Sequence, residues 1–155
     1  MTDTNGLELS ITRIIDAPRE IVWRAWTERL EEWFAPRPWT TRVIEQDFRP
    51  GGRSAVVMTG PNGETSEGDG VFLEVTPNER IVFTDAFKAG WVPQGPFMVG
   101  VCTFEDEGNG KTRYTVAARH WTDEAVKQHQ QMGFEAGWSQ VMGQLAEIAE
   151  EMARG

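Results

Sequence analysis

The first part of the chain changes from an alternating to a helical pattern of apolar residues. Apolar and polar residues alternate over residues 7–15, and this period of two predicts a half-buried strand. Asp16 and Pro18 then predict the N-cap and the first turn of a short helix. Residues 28–33 predict a second short helix, which the prolines that follow would end. The chain therefore opens with one strand and two short helices.

Between residues 40 and 121 the pattern indicates a series of strands. Runs rich in β-branched and aromatic residues alternate with turn signals that contain Gly, Pro and Asn. The predicted strands cover residues 42–48, 53–59, 69–75, 80–87, 97–105 and 111–121. The Gly- and Pro-rich stretch 88–96 predicts a loop. Most of these strands are joined by hairpins, so we expect an antiparallel sheet.

The C-terminal part predicts one long amphipathic helix. Thr122 is its expected N-cap, and the helix should run to about Met152. Apolar residues three and four apart give it one continuous face, which consists of Phe134, Trp138, Val141, Leu145, Ile148 and Met152. Gly133 and Gly137 lie beside that face, where either close packing or space for a ligand would explain them. The sequence predicts an α+β fold in which a curved antiparallel sheet wraps around this helix.

Composition and charge narrow the range of functions. The chain has 155 residues, which suits a single domain over residues 1–155, and a net charge of −9. Such an acidic chain is a poor partner for nucleic acid or an anionic membrane surface. No apolar run approaches the roughly 20 residues that span a bilayer. The segment 1–6 lacks the features of a signal peptide, so we expect a cytoplasmic protein.

Few residues suggest catalysis or metal binding. The single cysteine, Cys102, lies in a strand pattern and predicts a buried, inert thiol, and with two distant histidines it gives no metal site. His120 is a weak candidate for a general base, or else a histidine at the sheet edge. Asp85 is a weak candidate for a carboxylate beside a cavity, or else a structural aspartate. We expect His129 to have a surface or boundary role, and we expect no cofactor.

The aromatic residues are better candidates for a binding site. The chain contains seven Trp and eight Phe, and pockets for small molecules are mostly apolar. The residues predicted to line a cavity are Trp26, Phe34, Trp39, Met58, Phe72, Phe83, Trp91, Phe97, Val99, Val101, Phe134 and Trp138. Because a shift of one residue reverses the face that a strand side chain occupies, the strand positions in this set depend on register.

Four stretches of the sequence resemble a known family. They are residues 22–27 with 33–36, residues 47–53, residues 70–77 with 79–84, and residues 132–138. Together they resemble the START-like (SRPBCC) superfamily, in the branch of activator of heat-shock-protein-ninety ATPase homologues. The resemblance implies a helix-grip fold that forms a single START-like domain. The superfamily includes lipid carriers, polyketide cyclases and co-chaperone domains, so it implies no single activity.

Three functions fit these observations. The first is the binding or carriage of a small hydrophobic ligand in a cavity between the sheet and the C-terminal helix. The second is a polyketide cyclase or hydrolase type of enzyme, which would need an inward polar pair such as His120 with Asp85. The third is a co-chaperone-like interaction module, which would need an exposed apolar or charged patch.

Overall fold

A twisted antiparallel sheet forms the frame of the protein. The computed structural model describes residues 7–95 and 97–155, so the predicted N-terminal segment 1–6 and Pro96 lie outside the described residues. The described strands are β1 (Glu8–Ile15), β2 (Thr40–Gln46), β3 (Arg53–Thr59), β4 (Thr65–Thr76), β5 (Arg80–Thr84), β6 (Phe87–Lys88), β7 (Val92–Pro93), β8 (Val99–Gly108) and β9 (Lys111–Arg119). Seven of these described strands form one sheet in the order β1-β9-β8-β5-β4-β3-β2, with every neighbouring pair antiparallel.

Four described helices cover one side of this sheet. They are α1 (Arg19–Glu28), α2 (Leu30–Trp33), α3 (Asp123–Gln131) and α4 (Phe134–Arg154). Helix α4 packs against α1, α2 and β1. The register shifts in β2 between Val43 and Glu45 and in β4 between Phe72 and Glu74. Such irregularities bend a strand and increase its twist, which curves the sheet around the helix. The predicted α+β fold class is confirmed.

The first helix starts later than the sequence suggested. Pro18 is the N-cap of α1, and its carbonyl oxygen accepts the first helical hydrogen bonds, from the backbone N–H groups of Ile21 and Val22. The prediction that Asp16 caps this helix is therefore wrong. The backbone N–H of Asp16 instead donates to Glu150 Oε2 at 3.0 Å, which ties the end of β1 to α4.

The predicted single C-terminal helix is two helices. Thr122 Oγ1 accepts from the Ala125 N–H at 3.1 Å, so the predicted N-cap of α3 is confirmed. The helix ends at Gln131, and Gly133 has a φ of 90° in the left-handed region, which favours glycine. Helix α4 then begins at Phe134. The apolar face named from the sequence begins at Phe134, after the break, so its spacing gave no information about the helix boundary.

The predicted loop 88–96 contains a small hairpin in its described part. Strand β6 pairs with β7 through Phe87 with Pro93 and Lys88 with Val92. Trp91 has a positive φ of 60° at the turn, and its ring packs on Phe87 with a centroid distance of 5.8 Å. Trp91 is 57% exposed. In residues 7–95 and 97–155, no helix is both long and apolar enough to cross a membrane.

The core is filled at the end of the molecule where α1 lies. Ile15, Trp33, Phe104 and Leu145 are among its fully buried side chains. Cys102 is also buried in this cluster, and burial raises the pKa of its thiol to about 12. A thiol with this pKa stays protonated at neutral pH, as the sequence predicted for an inert cysteine.

Candidate functional site

A half-open apolar pocket of about 320 Å³ lies against the middle of the sheet. Strands β3, β4 and β5 form its floor, and the segment before β8 forms one wall. Its apolar side chains are Phe34, Val56, Met58, Phe83, Phe97 and Met98. Its polar side chains are Ser54, Asp69, Thr84 and Asp85. We call this space the sheet pocket.

A second pocket, of about 220 Å³, lies at the break between α3 and α4. Helix residues, together with the segment after α2, line most of it. Its lining consists of Phe34, Pro36, Met58, His129, Met132, Gly133, Phe134, Gly137, Trp138 and Val141. We call this space the helix pocket.

Phe34 and Met58 line both pockets. The two spaces therefore adjoin at these side chains, which we call the wall between the pockets. A smaller space of about 30 Å³ beside Trp26 also has Phe34 in its lining. Phe34 therefore lines all three spaces.

Glycine at position 137 leaves open space in the helix pocket. A Cβ atom built on Gly137 would meet no heavy atom within 4 Å, and the same is true of Gly133. Close packing, one of the two explanations offered by the sequence, therefore does not account for Gly137. The missing side chain enlarges the pocket at a cost of about 1 kcal/mol in helix propensity relative to alanine. Gly133 has a separate reason, which is its positive φ.

The polar side chains of the sheet pocket bind other parts of the protein. Asp85 Oδ1 accepts from the backbone N–H groups of Phe97 and Met98, at 2.8 and 3.3 Å. Thr84 Oγ1 donates to the Met98 carbonyl oxygen at 3.0 Å. The Arg53 guanidinium donates to both carboxylate oxygens of Asp69, from Nε to Oδ1 at 3.2 Å and from Nη2 to Oδ2 at 3.1 Å. These bonds fix the walls of the pocket, and Asp85 is a structural residue that holds the segment before β8 in place.

Two histidines form a buried pair next to the helix pocket. His120 Nδ1 lies 2.9 Å from the Leu7 carbonyl oxygen, and His120 Nε2 lies 2.9 Å from His129 Nδ1. His120 and His129 are 6% and 8% exposed. The Phe97 ring packs against both imidazoles, with centroid distances of 5.8 Å to His120 and 4.8 Å to His129. Burial, and then the nearby His120, lower the pKa of His129 below its ordinary value.

This arrangement differs from both expectations for the histidines. The expected surface or boundary role of His129 is wrong, because α3 turns it inward onto the pair and the pocket. His120 and Asp85 do not form a pair: each is bonded to different partners, with Phe97 between them. The polar pair that an enzyme of the cyclase type was expected to use is therefore not assembled from these two residues.

The residues predicted to line a cavity divide into two groups. Seven of them line one of the described spaces: Trp26, Phe34, Met58, Phe83, Phe97, Phe134 and Trp138. Five lie outside the linings of the sheet and helix pockets: Trp39, Phe72, Trp91, Val99 and Val101. Trp91 is exposed on the β6–β7 hairpin, whereas Phe72 is fully buried against Phe48 with a centroid distance of 5.1 Å.

Val99 and Val101 occupy the other face of their strand. Cys102 and Phe104 of β8 belong to the core cluster beneath α4. Because side chains alternate along a strand, Val99 and Val101 point away from that side. Trp39 lies beside Gly60, at the turn after β3. The sequence periodicity identified the strand correctly but could not tell which of its two apolar faces meets the helix.

Sequence reasoning also missed Gln144, which holds the wall of the pockets. This α4 residue is 4% exposed, and its Nε2 donates to the carbonyl oxygens of Trp33 and Ala35 at 3.0 and 2.8 Å. Its Oε1 accepts from the Arg37 backbone N–H at 3.0 Å. The amide therefore fixes the chain on both sides of Phe34. The only sequence signal was a polar residue next to the apolar face of a helix, which is common at an exposed boundary.

No cluster of three or more His, Cys, Asp or Glu side chains suited to a metal ion occurs in the described parts of the chain. The histidine pair has its Nδ1 atoms and His120 Nε2 in hydrogen bonds within the protein. The ring nitrogen of the pair that remains for other contacts is His129 Nε2.

Comparison with known proteins gives the family. The model of the family described as "Activator of Hsp90 ATPase homolog 1-like protein" matches residues 16–150. The chain belongs to this family. The predicted relation to the START-like superfamily, in the branch of these homologues, is thereby confirmed.

Solved structures of members of the same fold agree with this assignment. A protein from Nitrosomonas europaea is 35% identical, with a TM-score of 0.88 and coverage of 100% of both chains. A protein from Mycobacterium smegmatis is 30% identical, with a TM-score of 0.77 over 94% of this chain and 92% of the other. The AHSA1 protein from Silicibacter pomeroyi, 21% identical with a TM-score of 0.69 over 93% and 99% of the two chains, shares the fold. No curated protein matches the sequence.

Proposed function

We propose that this protein binds a small apolar molecule in the sheet and helix pockets. The observation that carries the proposal is the pair of adjoining apolar pockets divided by two side chains, Phe34 and Met58. An engineered apolar cavity of about 150 Å³ is large enough to bind benzene. Pockets of about 320 and 220 Å³ therefore have room for one-ring and two-ring compounds.

The lining supports an apolar ligand. In the sheet pocket, both carboxylate oxygens of Asp69, the Thr84 hydroxyl group and Asp85 Oδ1 form hydrogen bonds with the protein itself. A ligand therefore meets mainly aromatic and thioether surface. Gly137 supports the same function, because a larger residue there would give a better helix but less space.

Two variants of α4 test the proposal. Gly137→Met should fill the helix pocket, whereas Gly143→Met, on the same helix, places its Cβ 3.9 Å from Arg13 Nη1 and away from the pocket. We would measure thermal unfolding of both variants and the wild-type protein with a panel of apolar compounds, from substituted benzenes to medium-chain alcohols. Binding should raise the Tm of the wild type and of Gly143→Met, and raise it less for Gly137→Met.

A further comparison locates the ligand. Gly68 lies in the lining of the sheet pocket, where an added Cβ would meet only Val56 Cγ2, at 3.7 Å. Gly68→Leu should weaken compounds that occupy the sheet pocket and leave those of the helix pocket unchanged. If no apolar compound changes the Tm of the wild type, or if both filled variants bind as the wild type does, the proposal is wrong.

The two other functions have less support. The enzyme alternative lacks its expected His120–Asp85 pair. The name of the family refers to activation of the Hsp90 ATPase, and Trp91 and Val92 are exposed apolar residues of the kind a protein contact uses. Two neighbouring side chains on one hairpin nevertheless cover far less than the ~800 Å² per partner of a stable interface.

We also propose that the protein is cytoplasmic and that it works without a nucleic acid, membrane or cofactor partner. The net charge of −9 disfavours binding to nucleic acids and to anionic membrane surfaces, because like charges repel. The free thiol of Cys102 suits a reducing compartment.

A further inference from the structure

The hydrogen bonds of the histidine pair determine where its protons lie. The Leu7 carbonyl oxygen only accepts, so His120 Nδ1 carries the proton in their 2.9 Å bond. In a neutral ring His120 Nε2 is then unprotonated and accepts, and His129 Nδ1 must donate to it. The same rule leaves His129 Nε2 without a proton. Neutral His129 therefore has a free lone pair at the edge of its ring opposite His120.

The surroundings favour the neutral form of His129. The rings of Phe97 and Phe134 pack against it with centroid distances of 4.8 and 5.0 Å. Burial among these rings removes the water that would hydrate a charged imidazole, and the neighbouring imidazole of His120 adds to this effect. The lowered pKa of His129 agrees with this geometry. The same aromatic packing restricts rotation of the imidazole.

His129 is the hydrogen-bond acceptor of the helix pocket. His120 holds Nδ1, so the ring edge that remains for the pocket is the one with Nε2. The other side chains in the described lining are apolar, apart from the indole N–H of Trp138, which is a donor. An entirely apolar ligand that covers Nε2 would leave a buried acceptor without a partner, and this weakens binding.

We propose that the ligand is an apolar alcohol or phenol whose hydroxyl group donates a hydrogen bond to His129 Nε2. This inference rests on the proposed function and adds the chemical class of the ligand. An ionised carboxylate has no proton to donate and would face the lone pair with negative charge. The site should consequently prefer a neutral hydroxyl compound over the corresponding acid.

The test compares three two-ring probes of similar size. 2-Naphthol can donate a hydrogen bond, 2-methylnaphthalene cannot, and 2-naphthoate is an anion. We would measure the Kd of each at pH 7.5 by titration calorimetry or NMR, with the wild type, His129→Phe and Trp91→Phe. His129→Phe keeps an aromatic ring but removes the acceptor. Trp91→Phe is the control, because it makes an aromatic exchange on the exposed β6–β7 hairpin, outside the linings of both pockets.

The expected result is a coupling between the hydroxyl group and His129. The preference for 2-naphthol over 2-methylnaphthalene should fall by roughly 5–10-fold in His129→Phe and stay unchanged in Trp91→Phe. 2-Naphthoate should bind the wild type more weakly than 2-naphthol. An unchanged preference in His129→Phe, or tighter binding of 2-naphthoate, would overturn the proposal.

A measurement on the wild type covers the case in which His129→Phe fails to fold. The ¹⁵N spectrum should show an unprotonated Nε2 in free His129, and its signal should move towards that of a hydrogen-bonded nitrogen with 2-naphthol but not with 2-methylnaphthalene. A proton on Nε2 in the free protein overturns the proposal. If both probes bind without this difference, the proposal falls and the cavity function stands. If neither probe binds, both fall.

Discussion

Trp26 Nε1 donates a 3.1 Å hydrogen bond to the hydroxyl group of Tyr114 inside the core. Tyr114 is fully buried, and its hydroxyl group lies 3.7 Å from Cys102 Sγ. This bond joins α1 to β9 at the filled end of the molecule. The cavity therefore adjoins a core whose polar atoms at this point have partners.

Removal of this hydroxyl group should destabilise the protein and leave the pockets in place. In Tyr114→Phe the buried indole N–H of Trp26 loses its acceptor, which costs about 1–3 kcal/mol in the free energy of unfolding. Urea denaturation measures this change. The control is Thr12→Val, which removes an exposed hydroxyl bond to Thr115 on the same sheet and should cost no more than about 0.5 kcal/mol. Equal effects of the two variants would contradict the prediction.

A second prediction concerns the amide that holds Phe34 in position. Gln144→Leu leaves the carbonyl oxygens of Trp33 and Ala35 and the Arg37 N–H without this partner, and should lower the free energy of unfolding by at least about 2 kcal/mol. Ligand affinity should fall as well, because the wall between the pockets loses its support. Gln128→Leu, at an exposed position on α3, is the control with the same chemical change. If Gln144→Leu binds ligand with wild-type affinity in calorimetry, the positioning role is wrong.

Alanine at position 137 should separate stability from binding. Gly137→Ala gains up to about 1 kcal/mol of helix propensity, and its methyl group meets no atom within 4 Å. The same methyl group takes space from the helix pocket, so ligands of that pocket should bind more weakly. Gly143→Ala should give a similar rise in Tm with no loss of affinity. A more stable Gly137→Ala that binds as tightly as the wild type would show that the ligand lies elsewhere.

Stability should decrease in mild acid because of His129. Its folded-state pKa lies below the ordinary value of 6.5, so the unfolded chain binds the proton first as the pH falls. The free energy of unfolding should therefore decrease from pH 6.5 downwards until the folded-state pKa is passed. The lowered pKa values of Glu32 and Glu74 act in the same direction, but below pH 4.5. Urea denaturation at pH values from 7.5 to 5 measures this change. The free energy of unfolding should decrease less with falling pH in His129→Phe than in the wild type.

The fold was largely predictable from local patterns, and the candidate site was predictable only in part. Alternation and turn residues determine where strands begin and end, and the hairpins between β3 and β4 and between β8 and β9 follow from them. The break at Gly133 depends on a single backbone conformation, which apolar spacing does not report. The choice of face in β8 depends on which side meets α4, and both faces of this strand are apolar.

The histidine pair shows why side-chain networks are harder to predict. His120 and His129 are nine residues apart, and they meet because β9 ends and α3 turns back at Thr122. The partner of His120 Nδ1 is a backbone carbonyl at Leu7, 113 residues away. Contacts of this kind depend on the assembled topology and leave no period in the sequence. Gln144 was missed for the same reason, since its partners are backbone atoms of a distant segment.

The position of Phe34 and Met58 between the two pockets has a consequence for the size of the cavity. Because side chains separate the pockets, replacement of Phe34 or Met58 by a smaller residue would join the sheet pocket and the helix pocket into one longer cavity. No strand or helix would have to move. The length of the cavity therefore depends on these two side chains and not on the arrangement of the strands and helices. For the ligand proposed above, Phe34 and Met58 would limit the length that fits, and the sheet, the helices and Gln144 would not have to change to accept a longer one.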